Sequence, residues 1–228
     1  MTTGMNMEPR GNILPIYFVA DESGSMGPDI AELNSGLQSL LNEIRMAPFA
    51  AANVRFSVIG FDNEARLYLS NADLRHVEQM PTLTARYATY FSTAFDLLNA
   101  QIPDDVAQLK AEGYRVNRPA VFLLTDGYPM SDDLWQEALS DLQNAPHHPN
   151  ILAFGIGESD AQIIGQMASK NGWAFQAAQG ADTGAMLSEF MSSLTQSVIS
   201  SGTSVANGSP EIITDIPDDF VKIDMDEL

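Results

Sequence analysis

One stretch near the start of the chain constrains the fold more than any other. Residues 13–20 form a short apolar run, rich in β-branched and aromatic residues, which predicts a strand buried on both faces. A polar, glycine-rich segment, Asp21 to Gly27, begins where that strand ends, and apolar residues then recur at helical spacing from Ile30 to Ile44. A strand, a polar turn and a helix in this order place ligands at the carboxyl edge of an open parallel sheet.

The polar turn offers oxygen ligands. In the segment 21–25 the side chains of Asp21, Ser23 and Ser25 can converge on one point. One carboxylate and two hydroxyls make a hard, mostly neutral site that suits Mg²⁺ or Mn²⁺. A second carboxylate, Asp126, follows the most hydrophobic short run of the chain, residues 121–125, and is therefore expected beside Asp21.

The remainder of the chain alternates predicted strands with predicted helices. Residues 64–70 alternate apolar and polar side chains after a turn signal at 62–63, which predicts an antiparallel hairpin partner at a sheet edge. We therefore predict an α/β fold: a doubly wound, mostly parallel six-stranded sheet with one antiparallel edge strand and helices on both faces. The predicted strands cover residues 13–21, 54–61, 64–70, 121–125, 151–156 and 173–175.

The polar turns resemble the motifs of a known family. The segment Asp21 to Ser25 is similar to the D-x-S-G-S signature of von Willebrand factor A domains, and Thr125-Asp126-Gly127 is similar to their T-D-G motif. The resemblance covers roughly Asn12 to Ser201. It implies the Rossmann-like fold of that family and a metal-ion-dependent adhesion site formed by these two turns and a threonine from a third loop.

The resemblance also implies the ligand set and its partner. Thr89 has the family's spacing before a helical run, although Ala88 stands where the family has Gly, and Thr82, Thr84 and Thr93 are alternatives. The implied metal ligands are Asp21, Ser23, Ser25, Thr89 and Asp126. The expected cofactor is Mg²⁺ or Mn²⁺, with Ca²⁺ as a further option, and a partner protein is expected to supply an Asp or Glu carboxylate to it.

Three residues are predicted to form a partner-binding rim around this site. Glu22 occupies the variable position of the first motif and is expected to point outward, where it would tune the choice of partner. Tyr128 and Pro129 follow the T-D-G motif directly and are expected to contact the partner.

Within the family, the chain looks like the bacterial TerY-type proteins of tellurium-resistance and stress-response systems. That likeness implies a cytoplasmic scaffold or regulator that binds a protein kinase or phosphatase and has no catalytic residues of its own. Two alternatives stay open: a Mg²⁺-dependent phosphohydrolase with Asp21 as nucleophile, and a substrate-recruiting subunit of an AAA-type ATPase. The phosphohydrolase alternative is weakened because such enzymes carry another Asp two residues after the nucleophile, and Ser23 stands at that position here.

Composition limits the kinds of partner and the cellular compartment that we expect. The formal charge is −19, from 30 acidic and 11 basic residues, and a surface of that sign disfavours nucleic acid. There is no cysteine and no apolar run long enough to cross a membrane, so a cytoplasmic protein, monomeric when alone, is expected. We predict a disordered segment at 1–11, the domain at 12–201, and a flexible linker with an acidic, hydrophobic tail at 202–228.

Overall fold

The apolar run at the start of the chain forms the central strand of a mixed sheet. The computed structural model describes residues 10–178 and 182–223. Within these residues the strands are β1 (Asn12–Asp21), β2 (Val54–Phe61), β3 (Ala65–Ala72), β4 (Arg115–Val116), β5 (Ala120–Thr125), β6 (Asn150–Gly155), β7 (Ala174–Ala177) and β8 (Phe220–Lys222). The helices are α1 (Ile30–Met46), α2 (Pro48–Ala52), α3 (Phe91–Ala111), α4 (Trp135–Asn144), α5 (Ala161–Met167) and α6 (Thr183–Ala206).

The sheet winds outward from β1 in both directions. The strand order is β3-β2-β1-β5-β6-β7-β8, and the short β4 pairs with the start of β1. The β1 strand pairs in parallel with β2 on one side and β5 on the other. The carboxyl ends of β1 and β5 therefore form the switch point at which an open α/β sheet binds ligands.

The helices cover both faces of the sheet, as the sequence predicts. One apolar core lies between the sheet and the helices α1, α2 and α6, and the other lies between the sheet and α3, α4 and α5. The helices α1, α4 and α6 follow parallel strands and therefore begin at the carboxyl edge of the sheet. The start of α3 is held at the same edge because the Tyr90 N–H donates to the Asp62 carbonyl, just after β2.

The sheet has eight strands in the described part of the chain, where six were predicted. The predicted antiparallel edge strand is confirmed as β3, but the other edge strand, β8, is antiparallel as well. The two additional strands, β4 and β8, have only two and three residues. Segments that short carry no periodic pattern of apolar residues, so they could not be predicted as strands.

The C-terminal region differs from the predicted linker. Residues 202–206 continue α6, and the following segment runs back along that helix. The Ser197 hydroxyl accepts the Asp215 backbone N–H at 2.8 Å, and the Ser201 hydroxyl accepts that of Ile213 at 2.9 Å. A Cβ at Gly202 would lie 2.7 Å from the Ala50 carbonyl oxygen of α2. Small residues of α6, of which Gly202 falls in the predicted linker, therefore let two segments approach this helix closely.

Two observations concern the ends of the chain and its helices. The disordered segment predicted at 1–11 falls, apart from Arg10 and Gly11, outside the described residues. Across the described ranges, no helix has the length and apolar character needed to span a membrane.

The position of Phe220 tests whether the C-terminal strand belongs to the domain. Its ring is only 6% exposed and lies 6.0 Å from that of Phe154 and 6.4 Å from that of Phe190. We predict that Phe220→Ala lowers the free energy of unfolding by roughly 3 kcal/mol, because it leaves a cavity between strand and helix. Urea denaturation measures this change. Ile216→Ala, at a side chain that is 43% exposed, is the control; equal effects of the two substitutions would contradict the prediction.

Candidate metal centre

The first motif forms a tight turn at the end of β1 that gathers its oxygen atoms. The Asp21 carboxylate accepts the backbone N–H of Ser23 at 2.7 Å. A short 3-10 turn, Gly24–Met26, then brings the Ser25 hydroxyl to 2.9 Å from that of Ser23. Because Ser25 in turn donates to Asp126, Ser23 is the donor between the two hydroxyls. The convergence predicted for residues 21, 23 and 25 is therefore present.

The second motif, at the end of β5, is tied directly to the first. The Thr125 hydroxyl donates to Asp21 Oδ2 at 2.6 Å, and the Ser25 hydroxyl donates to Asp126 Oδ1 at 2.8 Å. These bonds form because β1 and β5 are parallel neighbours with Ala20 opposite Leu124, so their carboxyl ends are in register. Two carboxylates and three hydroxyls thus share one edge of the sheet.

Thr89 reaches the same place from the third loop. The Tyr87 carbonyl accepts the backbone N–H of Gly24 at 2.8 Å, which joins this loop to the first motif. The Thr89 carbonyl accepts the N–H of Met130 at 3.1 Å, which joins it to the second motif. The Thr89 side chain itself is buried. Of the threonines considered from the sequence, it is the one that lies with Asp21 and Ser25 around the point described next.

Gly127 marks a small space on which the three turns converge. A Cβ at this glycine would lie 3.0 Å from Thr89 Oγ1, 3.6 Å from Asp21 Oδ2 and 3.9 Å from Ser25 Oγ. Oxygen atoms from the first motif and from the Thr89 loop therefore surround a point beside the glycine of the second motif, and any side chain at position 127 would fill it. Hard carboxylate and hydroxyl donors around such a space fit a dication of the Mg²⁺ class.

The electrostatics of the two carboxyl groups also fit a dication. Burial raises the pKa of Asp21 to about 7, against hydrogen bonds from Thr125 and Ser23 that lower it. Burial and the charge of Asp29 raise the pKa of Asp126, against the Ser25 hydrogen bond. In the described part of the chain, His, Cys, Asp and Glu form no group of three or more that could hold a metal. A metal here would therefore depend on the hydroxyl oxygens as well as on the two carboxylates.

The prediction that Glu22 points outward is wrong. Its side chain is fully buried and turns back onto the sheet, because successive residues of an extended segment face opposite sides. The carboxylate accepts the Tyr68 hydroxyl at 2.9 and 3.0 Å and the Thr84 N–H at 2.6 Å, and Arg66 lies 3.8 Å away. A Cβ at Gly60 would collide with it, so the glycine in β2 provides its space.

Glu22 instead anchors the loop that carries Thr89. Besides the bond from its carboxylate to Thr84, its backbone carbonyl accepts the N–H of Arg86 at 2.7 Å. Both bonds lie a few residues before Thr89. The variable position of the first motif thus fixes the third loop rather than forming part of the rim.

Of the other two predicted rim residues, Tyr128 lies beside the site. Tyr128 is 53% exposed and lines an open pocket of about 630 Å³ above the converging oxygens. Pro129 follows it at a half-buried position.

Three acidic residues of the pocket were missed by the sequence analysis. Asp29, Glu158 and Asp182 line it together with Ser25, Thr89 and Asp126. Each lies in a turn just before a helix or just after a strand at the carboxyl edge, and that position is the signal that sequence reasoning could have used. No Lys or Arg is among the described residues that line the pocket.

The buried Asp21 predicts a pH dependence for the metal-free protein. Its pKa of about 7 when folded exceeds the ordinary value of 3.8, so between these values the folded state holds a proton that the unfolded state has lost. Stability in EDTA should therefore fall as the pH rises through this window, by at most about 4 kcal/mol from this group.

Asp21→Asn removes the titration and should flatten this dependence. Urea denaturation of both proteins at about pH 5 and about pH 7.5 measures it. If the free energy of unfolding changed equally with pH in the wild type and in the variant, Asp21 would not be the group responsible.

The fold is similar to those of several solved structures. The pilus adhesin SpaC from Lactobacillus rhamnosus GG, in its open conformation, matches with a TM-score of 0.67 and 16% identity over 85% of this chain and 31% of the adhesin. Proximal thread matrix protein 1 from the mussel byssus, with a zinc-occupied MIDAS motif, matches with a TM-score of 0.59 and 16% identity over 84% of this chain and 49% of its own.

A von Willebrand factor type A structure from Catenulispora acidiphila also matches, with a TM-score of 0.53 and 15% identity over 83% of this chain and 43% of its own. This chain thus spans between about a third and a half of the length of these three structures. No curated protein matches the sequence.

The family model gives the assignment. The model of the von Willebrand factor type A domain matches residues 16–189, which include both motifs, the Thr89 loop and strands β2 to β7. The chain therefore belongs to the von Willebrand factor type A domain family.

Proposed function

We propose that this domain is a protein-binding module that works through a metal-ion-dependent adhesion site. Asp21, Ser23, Ser25, Thr89 and Asp126 would hold the cation, with Mg²⁺ as the expected ion and Mn²⁺ or Ca²⁺ as alternatives. The observation that carries the proposal is the space beside Gly127 of the second motif, where oxygens from the first motif and from the Thr89 loop lie within 4 Å of one point.

The ligand set determines what the site would do. Two carboxylates and three hydroxyls give a hard donor set with a charge of −2, which matches one divalent cation. When bound, such a cation supplies a positive centre and an open position that an outside carboxylate would occupy. The protein's own part is to hold the ligands: Thr125 fixes Asp21, Ser25 fixes Asp126, and Glu22 fixes the loop before Thr89.

A binding role is favoured over phosphoester hydrolysis. Both oxygens of Asp21 accept hydrogen bonds from the protein itself, and the side chain is fully buried, which is unfavourable for a nucleophile. The pocket lining combines several carboxylates with no Lys or Arg among its described residues, so it would repel a phosphate. We therefore propose no catalytic residue.

The cellular setting stays a prediction from the sequence. A cytoplasmic TerY-type regulator that binds a protein kinase or phosphatase, monomeric when alone, is the setting we propose, and a subunit that recruits substrates to an AAA-type ATPase is the alternative. The solved structures that share the fold include an adhesin and a byssus matrix protein. An adhesin and a matrix protein are consistent with binding as the general role of this domain.

A metal-induced rise in melting temperature is the first expected result. A ligand that binds only the folded state at about 100 times its Kd stabilises that state by about 2.7 kcal/mol, or roughly 5–10 °C for a domain of this size. Thermal unfolding with Mg²⁺ or Mn²⁺, compared with EDTA, measures the shift. The double variant Ser23→Ala, Ser25→Ala should lose it, because two neutral ligands are gone.

The matched control is Ser35→Ala with Ser39→Ala, at two exposed serines of α1. This variant should keep the full shift. A full shift in the Ser23, Ser25 variant would show that the proposed ligands are wrong.

Metal-dependent capture of a protein is the second expected result. The immobilised full chain, incubated with cell extract in Mg²⁺, should release a specific partner on addition of EDTA, and Asp126→Ala should release none of it. Mass spectrometry of the eluate identifies the protein: a kinase or phosphatase supports the proposed setting, and a ring ATPase supports the alternative. Equal recovery from the wild type and Asp126→Ala would contradict a role for the metal centre in binding.

A further inference from the structure

The pocket above the metal centre has an acidic wall on one side. Asp29 precedes α1 and its side chain makes no capping bond, while Asp182 caps α6 by accepting the N–H of Ala185. A Cβ at Gly184 would lie 3.4 Å from Asp182 Oδ1 and 3.9 Å from Asp29 Oδ1, so the two carboxylates are neighbours. Glu158, in the turn after β6, lines the same pocket.

The other side carries exposed apolar and aromatic side chains. Tyr87 is 66% exposed and Met130 is 42% exposed, and they belong to the two loops joined by the Met130 to Thr89 hydrogen bond. Tyr128, 53% exposed, lies between Met130 and the metal centre in the chain and lines the pocket. Large exposed side chains of these types are enriched at protein interfaces.

The acidic wall and the apolar side lie over opposite faces of the sheet. The acidic residues Asp29 and Asp182 lead into α1 and α6, whose core lies on one face. The loops of Tyr87 and Met130 lead into α3 and α4, whose core lies on the other face. A segment laid across the metal centre would therefore meet carboxylates on one side and an apolar surface on the other.

The charges constrain what such a segment can contain. A dication would neutralise Asp21 and Asp126, which leaves Asp29 and Asp182 of the wall and Glu158 elsewhere in the pocket lining. A partner's carboxylate at the metal would be repelled by them: two like charges about 8 Å apart change an equilibrium constant roughly 2-fold in water and roughly 30-fold at the lower dielectric near a protein surface. A basic residue of the partner beside that carboxylate would be attracted by the same pocket carboxylates, so the repulsion would become an attraction.

We propose that the partner segment carries a Lys or Arg beside its metal-binding acidic residue, facing Asp29 and Asp182, and an apolar residue on the side facing Tyr87 and Met130. This inference rests on the proposed function, since it needs the partner's carboxylate at the metal. Beyond that function, it specifies the residues next to the partner's carboxylate, and these residues would determine which acidic segments bind.

Selection from a displayed library of random peptides tests the composition of the segment. The full chain is panned in Mg²⁺, bound peptides are eluted with EDTA, and their sequences are compared with the unselected library. The eluted peptides should be enriched in Asp or Glu with Lys or Arg close on one side and an apolar residue on the other.

The two ways of failing are distinct. An EDTA eluate without enrichment would overturn the proposed function and this inference with it. Enrichment of acidic residues without neighbouring basic residues would overturn only this inference.

A charge variant tests the position of the basic residue. At saturating Mg²⁺, the double variant Asp29→Asn, Asp182→Asn should bind the selected peptide about 10-fold more weakly and with less dependence on salt, because rim charges act mainly through screened attraction. Asn at position 182 keeps the side-chain oxygen that caps α6. Isothermal titration calorimetry measures the affinities.

The matched control is Glu43→Gln with Glu112→Gln, which removes two carboxylates near the far ends of α1 and α3. It should change the affinity less than about 2-fold. Replacing the peptide's Lys or Arg by Gln should weaken its binding to the wild type about 10-fold. The same replacement should change its affinity for the Asp29, Asp182 variant only slightly, because groups in direct contact are energetically coupled. Equal losses with both proteins would overturn the proposed contact.

Discussion

The hydrogen bond from the Thr125 hydroxyl to the Asp21 carboxylate is the constraint on which the rest of the site depends. It joins the ends of two adjacent parallel strands, and its length of 2.6 Å is that of a strong bond to a charged acceptor. With Asp21 fixed there, the turn that follows has one way to present Ser23 and Ser25, and Ser25 then reaches Asp126. The sheet register therefore sets the positions of oxygens that lie about a hundred residues apart in the sequence.

This arrangement is costly without a positive charge. Burial raises the pKa of both Asp21 and Asp126, which means that the fold disfavours their ionised forms. Glu22 meets a related problem differently, because it is equally buried but lies near Arg66 and accepts hydrogen bonds from a hydroxyl and from a backbone N–H. Glu22 is thus stabilised within the protein, whereas Asp21 has no Lys or Arg within ion-pair distance in the described part of the chain.

Much of this site could be predicted from the sequence, and the parts that could not share a physical cause. Asp21, Ser23, Ser25 and Asp126 follow hydrophobic runs whose strand ends must meet, so local pattern was sufficient for them. Alternation along the strand turns Glu22 away from Asp21, but the room for its carboxylate depends on Gly60, a contact between strands that no local pattern shows. The end of α6 was missed for the same reason, since its small residues gain meaning only from the segments that lie against them.

The antiparallel strand β8 has a consequence for the behaviour of the protein in concentrated solution. It occupies the outer side of β7, whose backbone donors and acceptors would otherwise form an open margin. Such a margin is a template for adding strands from other molecules and so for growing filaments. Because β8 has only three residues, the margin that remains outside it is short, which disfavours such self-assembly.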